Sequence, residues 1–155
     1  MCSSDLEGSG GAPTRGDRTV TDTATDTVAV RELIAAYALA LDAGDIEGCV
    51  QLFTPDAQFL VYGRSFDGHE GIRKMFQDAP HGLHLTGVSR IDVRGDAATA
   101  RSQVLFVRAV DLHLRPALYD DELVRQGTEG GQWRFQRRRC QFVTSRGLSD
   151  SPEGP

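Results

Sequence analysis

Four side chains in this sequence have the chemistry to move a proton beside an apolar surface: Tyr37, Asp42, Tyr62 and His84. Tyr37 and Asp42 belong to one stretch, "YALALDAGD". His84 sits in "LHL", so on a strand it faces away from Leu83 and Leu85. An imidazole titrates near neutral pH, which suits a general acid or base. A phenol can donate a hydrogen bond to a carbonyl oxygen and stabilise the charge that develops as an enolate forms. Each residue also has an ordinary reading. Tyr37 lies within an apolar stripe, where a core aromatic with a satisfied hydroxyl is common. Tyr62 ends its strand and fits a surface. A lone histidine on a strand is more often structural than catalytic. Asp42 lies about 100° from the centre of its helical stripe, at the rim. There a solvated carboxylate is common, and its opposition to the helix dipole costs only some tenths of a kcal/mol. On the residues alone, Asp42 reads as surface.

The elements that must hold these groups follow from periodicity. Val30, Leu33, Ile34, Tyr37, Ala38 and Leu41 recur at helical spacing, so a first helix is expected from about residue 27 to 43, started by Asp26 or Thr27 and ended by Gly44. Asp45 then opens a short helix, "DIEGCVQLF", which "TPD" stops. "AQFLVYG" and "RSFDG" read as strands, and "HEGIRKMFQD" as a third helix burying Ile72, Met75 and Phe76. The remainder alternates as long strands: "LHLTGVSRIDV", the turn "RGD", "AATARSQVLFVRAV", "ALYDDELVRQG" and "QWRFQRRRCQFVTS". Strands in series with tight turns predict an antiparallel sheet, and early helices predict an α+β fold. Long twisted strands curl, and a curled sheet closed by three helices leaves an apolar interior suited to a small molecule.

The 155 residues suffice for one domain. A domain at residues 27–145 is expected between tails at 1–26 and 146–155, the first of them rich in Gly, Ser, Thr and Asp. "MCSSDL" looks like translated sequencing adapter, which places the expected natural start at Val20, from a GTG codon. A net charge of −5 argues against nucleic acid and anionic membranes as partners. No apolar run approaches a membrane span. Cys2, Cys49 and Cys140 have no pairing or metal spacing and read as reduced thiols of a cytoplasmic protein. His81 and His84, three apart, are expected on opposite faces of a strand, and no metal is predicted.

The stretches "IAAYALALDAGDIEGCVQLFTPDAQF", "GHEGIRKMF", "LHLTGVSRIDVRGDAATARSQV", "YDDELVRQ" and "QWRFQRRR" together resemble the SnoaL-like branch of the nuclear transport factor 2-like superfamily, over roughly residues 28–145. The resemblance implies a cone-shaped fold with a curved antiparallel sheet and three N-terminal helices around an apolar pocket. Scytalone-type and bile-acid-type dehydratases of this superfamily carry a tyrosine and an aspartate on the first helix, a tyrosine on the first strand and a histidine after the third helix. Tyr37, Asp42, Tyr62 and His84 stand at those places, so the resemblance implies that Asp42 faces His84 and orients it. The dehydratases add a polar partner on the following strand, where this sequence has "LFVR" and offers Arg108. The catalytic aspartate of ketosteroid isomerases falls at Val61, which argues against their route. Candidate substrate contacts are Phe59, Phe106 and Arg108, with Trp133, Phe135 and Arg137 expected on one face of the last long strand.

The function expected is a cofactor-independent dehydratase or isomerase acting on a hydrophobic hydroxy or keto compound such as a polyketide, steroid or aromatic metabolite. His84 is its acid/base, Asp42 the orienter, and Tyr37 and Tyr62 the carbonyl donors. A non-catalytic ligand-binding module and a dimerisation domain of the same fold are the alternatives. A homodimer through the open face of the sheet is expected.

Overall fold

The computed structural model describes residues 20–127 and 130–154. The expectation for residues 1–19 lies outside them. The chain runs α1 (Val20–Asp42), α2 (Ile46–Val50), β1 (Phe53–Val61), β2 (Arg64–Asp67), α3 (Gly68–Asp78), β3 (Gly82–Arg94), β4 (Ala97–Arg108), β5 (Leu114–Gln126), β6 (Gln132–Thr144) and β7 (Gly147–Ser149). The strands form one sheet in the order β2-β1-β6-β5-β4-β3, with β7 beside β6. Its pairs are antiparallel except β1 with β6, which run parallel where the first and last long strands meet. This is the expected α+β fold, a curved sheet with the helices at the N-terminal end of the chain.

α1 starts earlier than its apolar stripe indicates. Its N-terminal turns are tied down by polar contacts: buried Asp26 accepts from Arg125 and, at 3.3 Å, from the Trp133 indole N–H. Asp26 and Thr27 are therefore inside the helix, and the Thr27 hydroxyl donates back to the Thr23 carbonyl. Gly44 ends the helix with φ 76°, where a side chain would be strained. Asp45 caps α2 as expected, accepting from the Gly48 N–H at 2.9 Å. The "TPD" segment, expected as a break, already belongs to β1. Near the C-terminus, residues 147–149 pair with β6, and Arg139 holds Asp150 at 2.9 Å.

The core lies between the concave face of the sheet and the helices. Val30, Ile34 and Tyr37 of α1 and Ile72 and Phe76 of α3 pack onto Phe53, Phe59, Leu123 and Phe135 of the sheet. Two irregularities decide which side chains reach it. In β3 the pairing with β4 slips between Thr86 and Ser89, and in β6 the pairing with β5 slips between Phe135 and Arg137. Each inserts one residue and inverts the in–out alternation beyond it.

Candidate active site

The C-terminal end of α1 lies against β3, an edge of the sheet. An edge strand leaves backbone N–H groups without a neighbouring strand, and Asp42 answers one of them. Its carboxylate accepts the His84 backbone N–H at 2.9 and 3.1 Å. It also accepts the His84 ring, Nδ1 to Oδ1, at 2.6 Å. Both side chains are mostly buried, at 13% and 16% exposure for His84 and Asp42. His84 is thus held by Asp42 at two points, its backbone N–H and its ring, and with Nδ1 carrying the proton, Nε2 is the basic nitrogen. Asp42 therefore does not stand on open surface: it is held in place by the strand opposite.

A carboxylate beside an imidazole, taken alone, raises the imidazole pKa. The structure reverses that direction. Burial is the larger effect and pushes the imidazole below its ordinary value, while the hydrogen bond and charge of Asp42 oppose the fall and the Arg138 cation adds to it. The imidazole is accordingly neutral and basic at neutral pH.

His84 faces an apolar cavity of about 110 Å³, lined also by Tyr37, Leu41, Phe59, Tyr62, Phe106, Ala117, Tyr119 and Cys140. The His84 ring packs on Phe106 with centroids 4.8 Å apart. His81 lines the same cavity, because it precedes β3 and does not follow the strand's alternation. Among the described residues no group of three or more His, Cys, Asp or Glu is placed to hold a metal ion.

Tyr37 forms the floor. It is buried, ringed by Phe53, Phe59, Phe76 and Phe135 at 6.0–6.4 Å, and meets the Tyr119 ring edge-on with centroids 5.9 Å apart. Burial pushes both phenols well above their ordinary values, so both remain protonated donors. Beneath them lies Arg138, fully buried, its guanidinium 4.1 Å from the Tyr37 ring centroid and 4.4 Å from that of Tyr119. Asp121 neutralises it through two 2.7 Å hydrogen bonds. Among the described residues its remaining Nη1 has no hydrogen-bond acceptor, and the guanidinium lies among aromatic rings, Phe135 at 4.1 Å included. Cys140 stays an uncharged thiol, since burial lifts its pKa to about 12.

Tyr62 stands at the mouth, half exposed, its ring 5.2 Å from Phe142. With φ 55°, followed by Gly63 at 66°, it makes the two-residue turn between β1 and β2. A tyrosine in left-handed backbone is uncommon.

Four expected substrate contacts fall elsewhere. Trp133 and Phe135 lie below the floor, with Trp133 engaged by Asp26 and Phe135 fully buried. Arg137 was expected on their face. The extra residue Gln136 turns it outward to Glu122 and turns Arg138 inward in its place. Arg108 is occupied by Asp111 at 2.8 Å and does not line the cavity. Phe59 and Phe106 do line it. The sequence reading missed Tyr119, Asp121, Arg138 and Arg115. The signal for the first two was present: Ala117, Tyr119, Asp121 and Leu123 alternate onto one face, and an acid among buried apolar residues demands a buried cation.

With this geometry in hand, the comparisons with known proteins are decisive for the family. A family profile described as SnoaL-like domain matches residues 22–139. The chain belongs to the SnoaL-like domain family. No curated protein matches it. Among solved structures, a protein of unknown function from Mycobacterium tuberculosis is similar at 29% identity, over 79% of this chain and 75% of that one, with a TM-score of 0.72. An NTF2-like protein with a cystatin-like fold from Novosphingobium aromaticivorans is similar at 25% identity, over 84% and 94%, with a TM-score of 0.69. A candidate scytalone dehydratase from the same organism shares the fold at 22% identity, over 85% and 92%, with a TM-score of 0.71. In this SnoaL-like chain the helix-to-edge-strand junction carries the Asp42–His84 pair, and no helix among the described residues is long and apolar enough to cross a membrane.

Proposed function

We propose that this protein is a cofactor-independent lyase or isomerase acting on a small apolar hydroxy or keto compound. The observation that carries the proposal is the 2.6 Å bond from Asp42 to His84 Nδ1 at the wall of an apolar cavity. In the mechanism, His84 Nε2 removes a proton from the carbon next to a carbonyl. The carbonyl oxygen turns toward Tyr37 and Tyr119, whose hydroxyls stabilise the enolate. Asp42 holds the ring and stabilises the imidazolium as it forms, without taking the proton itself. The imidazolium then returns the proton to a departing hydroxyl, which leaves as water, or to a second carbon, which gives an isomer. Tyr62 at the mouth orients the substrate. The dehydratase name of one structural neighbour supports this class of reaction. The open cavity speaks against the dimerisation-only alternative, in which side chains would fill the cone.

The test is a panel of apolar β-hydroxyketones and ketones incubated in D₂O with the protein and with His84→Gln. Wild-type protein is expected to exchange α-protons or eliminate water, and His84→Gln to lose that activity. Compounds that bind the wild-type protein without exchange or elimination would make it a binding module.

We also propose that a second copy covers the outer face of the sheet. Leu83 and Leu85 on β3, Leu114 on β5, Val143 on β6 and Leu148 on β7 are exposed there. The register places them together: Leu85 pairs with Leu105, Leu105 with Pro116, and Val143 with Leu148. A contiguous apolar patch of this kind marks an interface.

A further inference from the structure

Two imidazoles line the cavity, and the chemistry described above uses one of them. His81 stands in the same wall as His84. It belongs to the connector between α3 and β3, which is tied down on both sides of it. Before it, Ala79 is extended, with φ −75° and ψ 149°, the conformation that a following proline favours. Pro80 fixes its own φ. The His81 carbonyl accepts the Ala109 N–H at 2.9 Å, which joins the connector to the end of β4. After it, Gly82 passes so close to β4 that a side chain there would collide with the Phe106 ring and the Val107 carbonyl. The Phe106 ring thus lies against Gly82 and also packs on the His84 ring. It forms the apolar stretch of wall beside which both histidines stand.

The two histidines differ in what holds them. His84 is mostly buried, and Asp42 engages its Nδ1. His81 is exposed, so its ring meets both the cavity and the solvent. Three residues of extended chain set their backbones about 10 Å apart. The two side chains take up part of that distance, which leaves room between the rings for one carbon and the hydroxyl on the next. Elimination of water from a hydroxy ketone needs two proton transfers, one off carbon and one onto oxygen. Hydroxide leaves poorly without a proton, so the second transfer calls for an acid placed at that oxygen, and an imidazolium suits it.

We infer that His81 is the proton donor to the departing hydroxyl, a second catalytic residue that makes the reaction an elimination of water. This rests on the proposed base at His84, and it narrows lyase or isomerase to lyase. His84 Nε2 takes the proton from the carbon beside the carbonyl, leaving the enolate. As the enolate collapses, its electron pair forms the carbon–carbon double bond. The bond from the next carbon to its hydroxyl oxygen breaks, and that pair leaves with the oxygen. His81, entering the step as the imidazolium, protonates the oxygen, and water departs. His81 thus takes over from His84 the transfer to oxygen, and Asp42 stabilises the His84 imidazolium throughout. The step ends with His84 charged and His81 neutral. One proton lost to water by His84 and one gained from water by His81 reset the pair.

The test measures the two transfers apart, on the full chain. Exchange of the α-protons of 4-phenylbutan-2-one in D₂O reads the base alone. Conversion of 4-hydroxy-4-phenylbutan-2-one to the conjugated enone, followed by its ultraviolet absorption, reads base and acid together. The acetate ester of that alcohol loses acetate, which departs without a proton. His81→Gln should leave exchange and the loss of acetate unchanged. It should slow the loss of water by about 10²–10⁴-fold, the range that a positioned acid contributes. His81→Asn should match it. His84→Gln should lose all three activities, and His113→Gln, at a histidine outside the cavity lining, should lose none. His81 is exposed, so neither substitution opens the core, and circular dichroism checks the fold of each variant. A folded His81→Gln that eliminates water at the wild-type rate overturns the inference. So does one in which exchange or the loss of acetate falls as far as the loss of water. Wild-type protein that exchanges α-protons without eliminating water overturns it and leaves the proposed base in place. Wild-type protein that does neither removes the proposed base, and this inference with it.

Discussion

Asp42 is a short side chain with two tasks, and they can be separated by substitution. It completes the backbone of an edge strand, and it sets the tautomer and charge of the imidazole on that strand. Asp42→Asn keeps the shape and an oxygen acceptor for the backbone while removing the charge. The His84 pKa, already depressed by burial, should then fall further, because the group opposing burial has gone. Nuclear magnetic resonance titration of the ring reads this directly, and coinciding curves for the two proteins would reduce Asp42 to a structural acceptor. Activity should drop by about 10²–10⁴-fold, the range a positioned base contributes. His84 also gives stability a pH dependence. Its folded pKa lies below that of the unfolded chain, so the unfolded chain binds the proton more tightly. The stability contribution is full above about pH 6.5 and is lost as the pH falls through 6.5 toward the lower folded value. Urea midpoints measured across that window should slope in the wild-type protein and slope less in His84→Gln.

At the scale of elements, β6 carries the more consequential arrangement. Its bulge sends Arg138 into the interior, where Asp121 neutralises it. Arg138→Met alone strands a carboxylate among aromatic rings and should cost roughly 3–5 kcal/mol, whereas Arg138→Met with Asp121→Leu should be close to neutral. Denaturant unfolding of both variants decides this, and a single variant as stable as the double would show that the pair carries no structural weight. The same bulge marks the limit of what the sequence could tell. Apolar periodicity located α2, α3 and the long strands, and the expected tight turn at Gly95 is there with φ 63°. It could not reveal that Gln136 or the Gly87–Val88 segment interrupts a strand, because an inserted residue leaves no mark in composition and only shifts which parity faces inward. Trp133, Phe135 and Arg137 were therefore read onto one face, and Arg138 went unseen. The first turns of α1 escaped for a different reason: Asp26 binds them through long-range polar contacts that no local pattern announces. Asp42, His84, Tyr37 and Tyr62 were singled out because the resemblance named their places, and the geometry that joins Asp42 to His84 needed coordinates.

For the whole molecule, the outer face is divided. One end is apolar, while the other is a lattice of charges in which Arg101 holds Asp120 at 2.5 and 2.8 Å and Arg137 meets Glu122 at 3.3 Å. Such a face suits an interface that is apolar at one end and registered by charge at the other. Leu85→Glu, at the apolar end, should convert the expected dimer to a monomer in sedimentation equilibrium without changing the far-ultraviolet circular dichroism. A wild-type protein that sediments as a monomer at high micromolar concentration would remove the dimer altogether. The concave face is divided as well, by depth. Its mouth row holds His84, Phe106 and Arg115, and its deepest rows hold Asp121 with Arg138 and Leu123 with Phe135. Heritable change therefore meets two very different kinds of resistance along one strand. A substitution in the outer row alters which molecule enters and leaves the scaffold standing, while one three or four rows further in threatens the scaffold itself. A lineage carrying this arrangement can drift from one substrate to another by exchanging a few residues at the rim.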